Sequence, residues 1–190
     1  MAISGTSKIP SQKSAELIIY ISSKLKDKPN YGSTLLGKSL CLIDSMNYLK
    51  TGKPISDFDY IKQDHGPTPD PSHYLSIRDW LVINGGLEKV ESDYFGRTQI
   101  KYFPKREPKL NIFKKEEIVL INDVLVSICD TNAADISDHT HKFIAWIFAQ
   151  HKEKLPFYTF LLTNKDPELK DYKWAEKSIK TYQRTKNASL

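Results

Sequence analysis

The chain has 190 residues, 39% of them hydrophobic, and a formal net charge of +5, which is enough apolar material for one full core and too little length for several large domains. The opening MAISGTSKIPSQKS has no apolar signal region, and the longest apolar runs, such as Phe143 to Ala149, fall far short of the ~20 residues that a membrane span requires; the expectation is a cytoplasmic protein without a membrane role. Cys41 and Cys129 lie far apart in apolar helical patterns and read as buried free thiols, in keeping with a reducing compartment.

Residues 1–13 are expected to be disordered. From Ser14 to Leu25 the apolar positions Leu17, Ile18, Ile21 and Leu25 recur at three- and four-residue steps, which predicts a first helix with one buried face. Pro29, Asn30 and Gly32 end it, and Ser33 or Thr34 is placed to cap a second helix reaching Tyr48 or Lys50. The wide stripe of that helix, Leu35, Leu42, Met46 and Leu49 flanked by Leu36, Leu40 and Ile43, belongs in the core. Thr51-Gly52-Lys53-Pro54 is a turn with glycine as the helix stop.

The stretch from Tyr60 to Trp80 (YIKQDHGPTPDPSHYLSIRDW) organises what surrounds it. Pro67, Pro69 and Pro71 fix φ, lack an N–H, and hold Gly66, Thr68 and Asp70 extended. A preformed ledge is predicted there, with neither a helix interior nor a central strand. Asp70 stands where an N-cap belongs and Pro71 at the first position of a third helix carrying Tyr74, Ile77, Trp80 and Leu81. A ledge that is already stiff suits recognition, because ordering a flexible loop costs roughly 1–2 kcal/mol per residue. A plain connector between helices uses the same residues, and their chemistry leaves both readings open.

The third helix stops at Asn84-Gly85-Gly86, two glycines that tolerate positive φ. Leu87 to Glu91 and Thr98 to Phe103 then flank Asp93-Tyr94-Phe95-Gly96 as a hairpin, with Val90, Ile100 and Tyr102 on its buried side. Helix followed by hairpin is the layout of a winged helix. Beyond a linker bracketed by Pro104 and Pro108, Lys115 to Ile128 forms a long helix with Glu116 and Glu117 in its first turn, where the macrodipole favours acids. Asp130 to Ile136 reads as a short turn of helix. Ser137 is a cap for a final helix, Asp138 to Gln150, whose Phe143, Ile144, Trp146, Ile147 and Phe148 are apolar almost all round, so it is expected to be central or to cover a partner. Phe157 to Leu162 adds a short apolar element, and 163–190 is a mixed-charge tail with a possible helix around Trp174. The expected class is mainly α (α+β): a compact helical domain, 1–162, with one small antiparallel hairpin in a winged-helix-like unit, and a charged tail.

Taken together, these landmarks resemble the Panacea domain, the SocA-like antitoxin family that recurs in bacterial and phage genomes. The resemblance runs from Ala15 to about Leu162. It rests on the first helix ending in Lys24-Leu25, the LLGKSLCLIDSMNYLKTGKPI run, and the Tyr60…His65-Gly66-Pro67 ledge. The helix-Gly-hairpin unit ending in Phe103-Pro104, the Phe113-x-x-x-Glu117 helix start, and an Ile-Ser pair followed by His141 and Trp146 complete it. Two departures stand out: Ser39-Leu40-Cys41 replaces a bulkier run in the second helix, and Lys114 replaces the usual serine cap of the fourth. The resemblance implies an antitoxin of a type II toxin-antitoxin system that binds and blocks a cognate protein toxin; some members look like adaptors that deliver the toxin to a cellular protease.

The residues themselves supply no catalytic constellation. His139 and His141 lie two apart, so on a helix they point about 200° from each other, and the i, i+4 pair of a helical metal site is missing. No metal ligand set, no nucleotide loop and no cofactor motif is indicated. His141 reads as a packed imidazole whose ring nitrogens hold a neighbouring segment, and His65 has no accompanying nucleophile motif. DNA binding is the other reading of the winged-helix unit, but Pro71 to Asn84 offers one arginine offset by one aspartate and the hairpin is evenly mixed in charge, which is not a phosphate-binding face. The residues that point to a partner are Tyr60, His65, Pro67, Thr68, Tyr74, Tyr94, Phe95, Arg97 and Trp146, because aromatic side chains exceed what one small core hides and interfaces are rich in them. Tyr94 and Phe95, at a hairpin tip, are the exposed anchors by this logic; folding back onto the ledge or the third helix is the other reading. Gly66, Asp70, Pro71, Gly85, Gly86 and His141 read as structural.

Overall fold

A computed structural model describes residues 11–162 and, beyond them, 168–170, 172–173 and 176–177. The expectations for residues 1–10, and for a helix centred on Trp174, fall outside the described residues. The expected disorder through residue 13 is corrected at its end: helix α1 spans Gln12–Leu25, two residues longer than the periodicity predicts, because Ser11 caps it by accepting from the Ser14 N–H. Leu17, Ile18, Ile19 and Ile21 are all fully buried, which makes α1 a central element rather than a one-faced surface helix.

Helix α2, Ser33–Thr51, starts from an N-cap at Gly32 and ends at Gly52, whose positive φ lets its N–H close on the Tyr48 carbonyl at 2.8 Å. Leu36, Leu40 and Ile43 face the core, while Met46 and Leu49, assigned to the same stripe, lie on the outer side. Buried polar groups tie the following segment to α2. The Asp44 carboxylate accepts from the Tyr60 hydroxyl at 2.7 Å, from the backbone N–H groups of Ile55 and Ser56 at 2.8 Å each, and from the Ser56 hydroxyl. Tyr31 does the same work on the other side, its buried hydroxyl bridging Ser22 and the Tyr102 carbonyl at 2.9 Å each. In both places burial is tolerated because the polar atoms are satisfied.

The proline ledge is a strand. Strand β1, Tyr60–Gln63, pairs antiparallel with β2, Gly66–Pro69, so the fold has two small hairpins where one is expected; β2 is an edge strand, in keeping with the expectation that no central strand forms at these prolines. Register is the reason. Asp70 N–H donates to the Asp59 carbonyl, so the hydrogen-bonded pairs that follow are Ile61 with Thr68 and Gln63 with Gly66. Pro67 and Pro69 lie opposite Lys62 and Tyr60, where an N–H would point away from β1 and its loss costs no ladder bond. The other edge of β1 is occupied by 152–155: Lys62 N–H donates to Glu153 and Leu155 N–H to Tyr60. The outer edge of β2 therefore offers no N–H from either proline and resists further strand addition.

Helix α3, Pro71–Ile83, is capped by Asp70, which accepts from the Ser72 N–H at 3.0 Å, with Pro71 in the first turn as the sequence predicts. Tyr74, Ile77 and Leu81 are buried, and Trp80 is 41% exposed. Gly85 takes a positive φ, and Gly86 is needed for proximity, since a Cβ there would stand 2.9 Å from Leu81 Cδ2. Strands β3, Leu87–Tyr94, and β4, Arg97–Pro104, form the second hairpin.

Helix α4, Lys115–Ile128, buries Leu120, Ile121, Val124, Leu125 and Ile128; Lys114 supplies no side-chain cap, and Glu117 reaches back to accept its N–H at 2.9 Å. The predicted final core helix is two. Helix α5, Ala133–Thr140, is capped by Asn132 and holds Ser137 in its interior, and α6, Ile144–Phe148, buries only Ala145. Ile147 and Phe148 are exposed, so α6 is peripheral, and of the two expectations for it, central or covering a partner, the central one is corrected. The residues Phe157–Leu161 form a 3-10 turn.

Candidate functional site

The backbone of the β3–β4 tip carries the clearest local anomaly. Tyr94 pairs with Arg97, which leaves a two-residue loop, and both loop residues are left-handed: Phe95 at φ 52° and Gly96 at φ 74°. Such a loop normally takes Asn-Gly. Phenylalanine in that region costs about 1–2 kcal/mol, and no burial offsets it, since Phe95 is 89% exposed. Among the described residues its one ring-to-ring contact is with Tyr94, edge-on at 4.8 Å between centroids. Phe95 is thus an exposed aromatic residue held in a costly backbone conformation.

The ledge is held by the opposite device, close packing. Gly66 sits at φ 94°, and a Cβ there would overlap the Thr140 hydroxyl and stand 2.6 Å from Lys38 Nζ and 3.3 Å from His141 Cδ2. Lys38 is 3% exposed and donates to the Pro67 carbonyl at 2.8 Å; burial pushes its ammonium down to about 8. One end of α5 and one lysine of α2 thus clamp the turn before β2.

Two cavities flank this arrangement. One, of about 330 Å³, is walled by His65, Pro67, Thr68 and Tyr74 with Lys38 and Leu75. The other, of about 610 Å³, is walled by Tyr94, Phe95 and Arg97 with Asn30, Gln99 and Asn132. Ser33 and Thr34, in the first turn of α2, line both, so the ledge cavity and the hairpin-tip cavity adjoin at the start of α2. Residues picked separately from the sequence, His65, Pro67, Thr68, Tyr74, Tyr94, Phe95 and Arg97, are brought together there.

Tyr60 and Trp146 are not. Tyr60 is 1% exposed, bonded to Asp44 in the core, and an exposed role for it is corrected. Trp146 is a fastener: its Nε1 donates to the Gln63 carbonyl at 2.9 Å, its ring stacks on His141 at 4.1 Å, and Lys62 Nζ lies 4.4 Å from its centroid. His141 also differs from its expected role. It packs by its ring face, and its buried Nε2 has no hydrogen-bond partner among the described residues. Tyr74 contributes wall more than reach, being 6% exposed.

Sequence reasoning missed Ser33, Thr34, Lys38 and Asn132. Ser33 and Thr34 were legible only as caps, and Asn132 gives no signal until α5 is seen to start there. Lys38 had one available signal, a lysine set among Leu35, Leu36, Leu40 and Cys41. A nucleic-acid face is not evident on α3, whose one arginine, Arg78, is bound to Asp79 at 2.7 and 3.0 Å and lies over the Tyr74 and Tyr102 rings. Among the described residues no group of three or more His, Cys, Asp and Glu is arranged to hold a metal ion, and no helix is long and apolar enough to cross a membrane.

A family model described as Antitoxin SocA-like, Panacea domain, matches residues 36–147, more than half of the chain. The matched span includes the ledge, α3, the β3–β4 hairpin and His141 with Trp146. No curated protein and no solved structure matches the chain.

Proposed function

The chain belongs to the SocA-like antitoxin family of the Panacea domain, and from that premise we propose that it is an antitoxin that neutralises one cognate protein toxin by direct binding, as in a type II system. The observation that supports this reading is the groove made by two adjoining cavities, one walled by the stiff ledge and the other by the strained, exposed Phe95, which share Ser33 and Thr34. Binding there costs little ordering, because β2 is fixed by its prolines and its Gly66 clamp before any partner arrives. Phe95 and Tyr94 then act as the aromatic anchors of the interface, and the walls formed by Pro67, Thr68 and Tyr74 exclude water around them. The mechanism is occlusion: a toxin seated in the groove has its working surface covered or held in an inactive state, and no reactive group of this chain is required.

The test is a titration of the purified protein encoded by the adjacent reading frame, in an inactivated form, against the wild type and the Tyr94→Ala, Phe95→Ala double variant. The expected result is a stoichiometric complex that the double variant weakens by about 2 kcal/mol or more with an unchanged melting temperature. Equal affinity for the two proteins removes the hairpin anchor.

A further inference from the structure

The outer edge of β3 carries backbone groups that nothing in this chain takes up. The two-residue loop of Phe95 and Gly96 is closed by the pair Tyr94 and Arg97, so the hydrogen-bonded pairs of the hairpin alternate back through Ser92 with Gln99, Val90 with Lys101 and Glu88 with Phe103. The Lys105 N–H, which donates to the Gly86 carbonyl at 3.0 Å, continues the same alternation. Lys89, Glu91 and Asp93 therefore turn their N–H and C=O groups outward, and among the described residues no partner meets them. The remaining strand edges are occupied or blunted. The outward Tyr102 carbonyl of β4 accepts from Tyr31 at 2.9 Å, residues 152–155 cover β1, and prolines interrupt β2. Strand β3 has no proline, and its register runs unbroken from Leu87 to Tyr94, so charge is what decides which strand can join it.

We propose that the strand that joins it is β3 of a second copy of this chain, paired antiparallel about a two-fold axis at Val90, so that two hairpins form one four-stranded sheet. The charges select this register. Lys89 and Glu91 lie on one face, 2.8 Å apart and both exposed. With the axis at Val90, each Lys89 stands opposite the second copy's Glu91, and the four charges alternate in sign around a square. An axis at Lys89 sets lysine against lysine, one at Glu91 sets glutamate against glutamate, and one at Ser92 sets Glu91 against Asp93 twice. At the axis Val90 meets Val90 in a non-hydrogen-bonded pair, where side chains approach most closely. Arg78 of α3 lies over Tyr102, which pairs with Lys89, so the two-fold brings both α3 helices to one side of the sheet. Helix α3 exposes Trp80 and Ile83, apolar surface that such a contact can cover. The antiparallel arrangement sends the two Tyr94-Phe95 tips to opposite ends of the sheet, which leaves them open and makes the pairing independent of the antitoxin reading.

Sedimentation equilibrium of the full chain over a concentration series tests this. The wild type is expected to associate to twice the chain mass. Lys89→Glu and Glu91→Lys each set like charges opposite one another twice per dimer, and each is expected to weaken association at least about tenfold; melting temperature is expected to hold, since an exposed ion pair contributes little to folding. An equimolar mixture of the two variants is expected to recover association, because one chain then offers two carboxylates to the other's two ammonium groups, and the Lys89→Glu, Glu91→Lys double variant is expected to associate as the wild type does. In a Cys129→Ser background, Val90→Cys is expected to cross-link two chains on mild oxidation and Ser92→Cys is not, because only the pair at the axis brings identical positions within disulfide reach. A wild type that stays monomeric at every concentration overturns the proposal, and so does a dimer that both reversals leave intact. Cross-linking through Ser92→Cys and not Val90→Cys overturns the register. A monomer whose binding to the purified protein of the adjacent reading frame is lost in Lys89→Glu gives the edge to a different chain and overturns the second-copy assignment.

Discussion

Replacing Phe95 by asparagine is expected to make the protein more stable and less able to bind. The native loop holds Phe95 at φ 52° beside Gly96 at φ 74°, a geometry that Asn-Gly adopts readily and that phenylalanine adopts at a cost of about 1–2 kcal/mol. The substitution surrenders almost no burial, since the ring is 89% exposed. It does lose the edge-on contact with Tyr94 at 4.8 Å, a type of pair worth about 0.5–1.5 kcal/mol and less when solvated. The net expectation for Phe95→Asn is a gain of about 0.5–1 kcal/mol, read as a shift in urea midpoint with an unchanged slope. Binding to the cognate partner is expected to weaken by about 2 kcal/mol. A loss of stability greater than about 1 kcal/mol would mean that Phe95 is a folding residue, and unaltered affinity would mean that the strain serves something other than recognition; either result refutes the reasoning.

Lys38→Met tests the clamp beneath the ledge through pH. The folded ammonium loses its proton near 8, against 10.5 ordinarily, so the unfolded chain holds more protons between those values and wild-type stability rises with pH across that window. Measured as the difference between wild type and Lys38→Met, the gain is expected to reach as much as about 3 kcal/mol from pH 7 to 10.5; a flat difference shows that Lys38 titrates like a surface lysine. Gly66→Ala combines a left-handed backbone with overlap onto Thr140 and Lys38, and is expected to cost about 2–4 kcal/mol in chemical denaturation. A cost under about 1 kcal/mol would show that the turn relaxes freely and that the ledge is not held as described.

Much of this molecule was legible in the sequence because local rules and tertiary packing agree. Asp70 with Pro71, Gly85 and Gly86, and the Tyr94–Gly96 turn all act where their chemistry places them. The ledge was legible as stiff but not as a strand, because whether a proline can sit in a ladder depends on register against a partner strand, and register is not a property of the ledge alone. The break between α5 and α6 was hidden for a related reason: an apolar run from Phe143 to Phe148 looks the same whether it is buried in a core or laid at the edge of one. At the site, the aromatic and cationic residues of the groove were visible one by one, while their convergence on Ser33 and Thr34 was not, since α2, β2 and the hairpin meet only in three dimensions.

The central claim is that a shaped groove with exposed aromatic anchors, and no reactive group, disarms a toxic neighbour. Counting surviving colonies when the adjacent reading frame is expressed with wild-type protein, with the Tyr94→Ala, Phe95→Ala variant and with neither tests it most directly. The account predicts growth with the wild type and death in the other two at equal protein levels. Growth that is indifferent to the hairpin substitutions, or a neighbour that harms no cell, would contradict it.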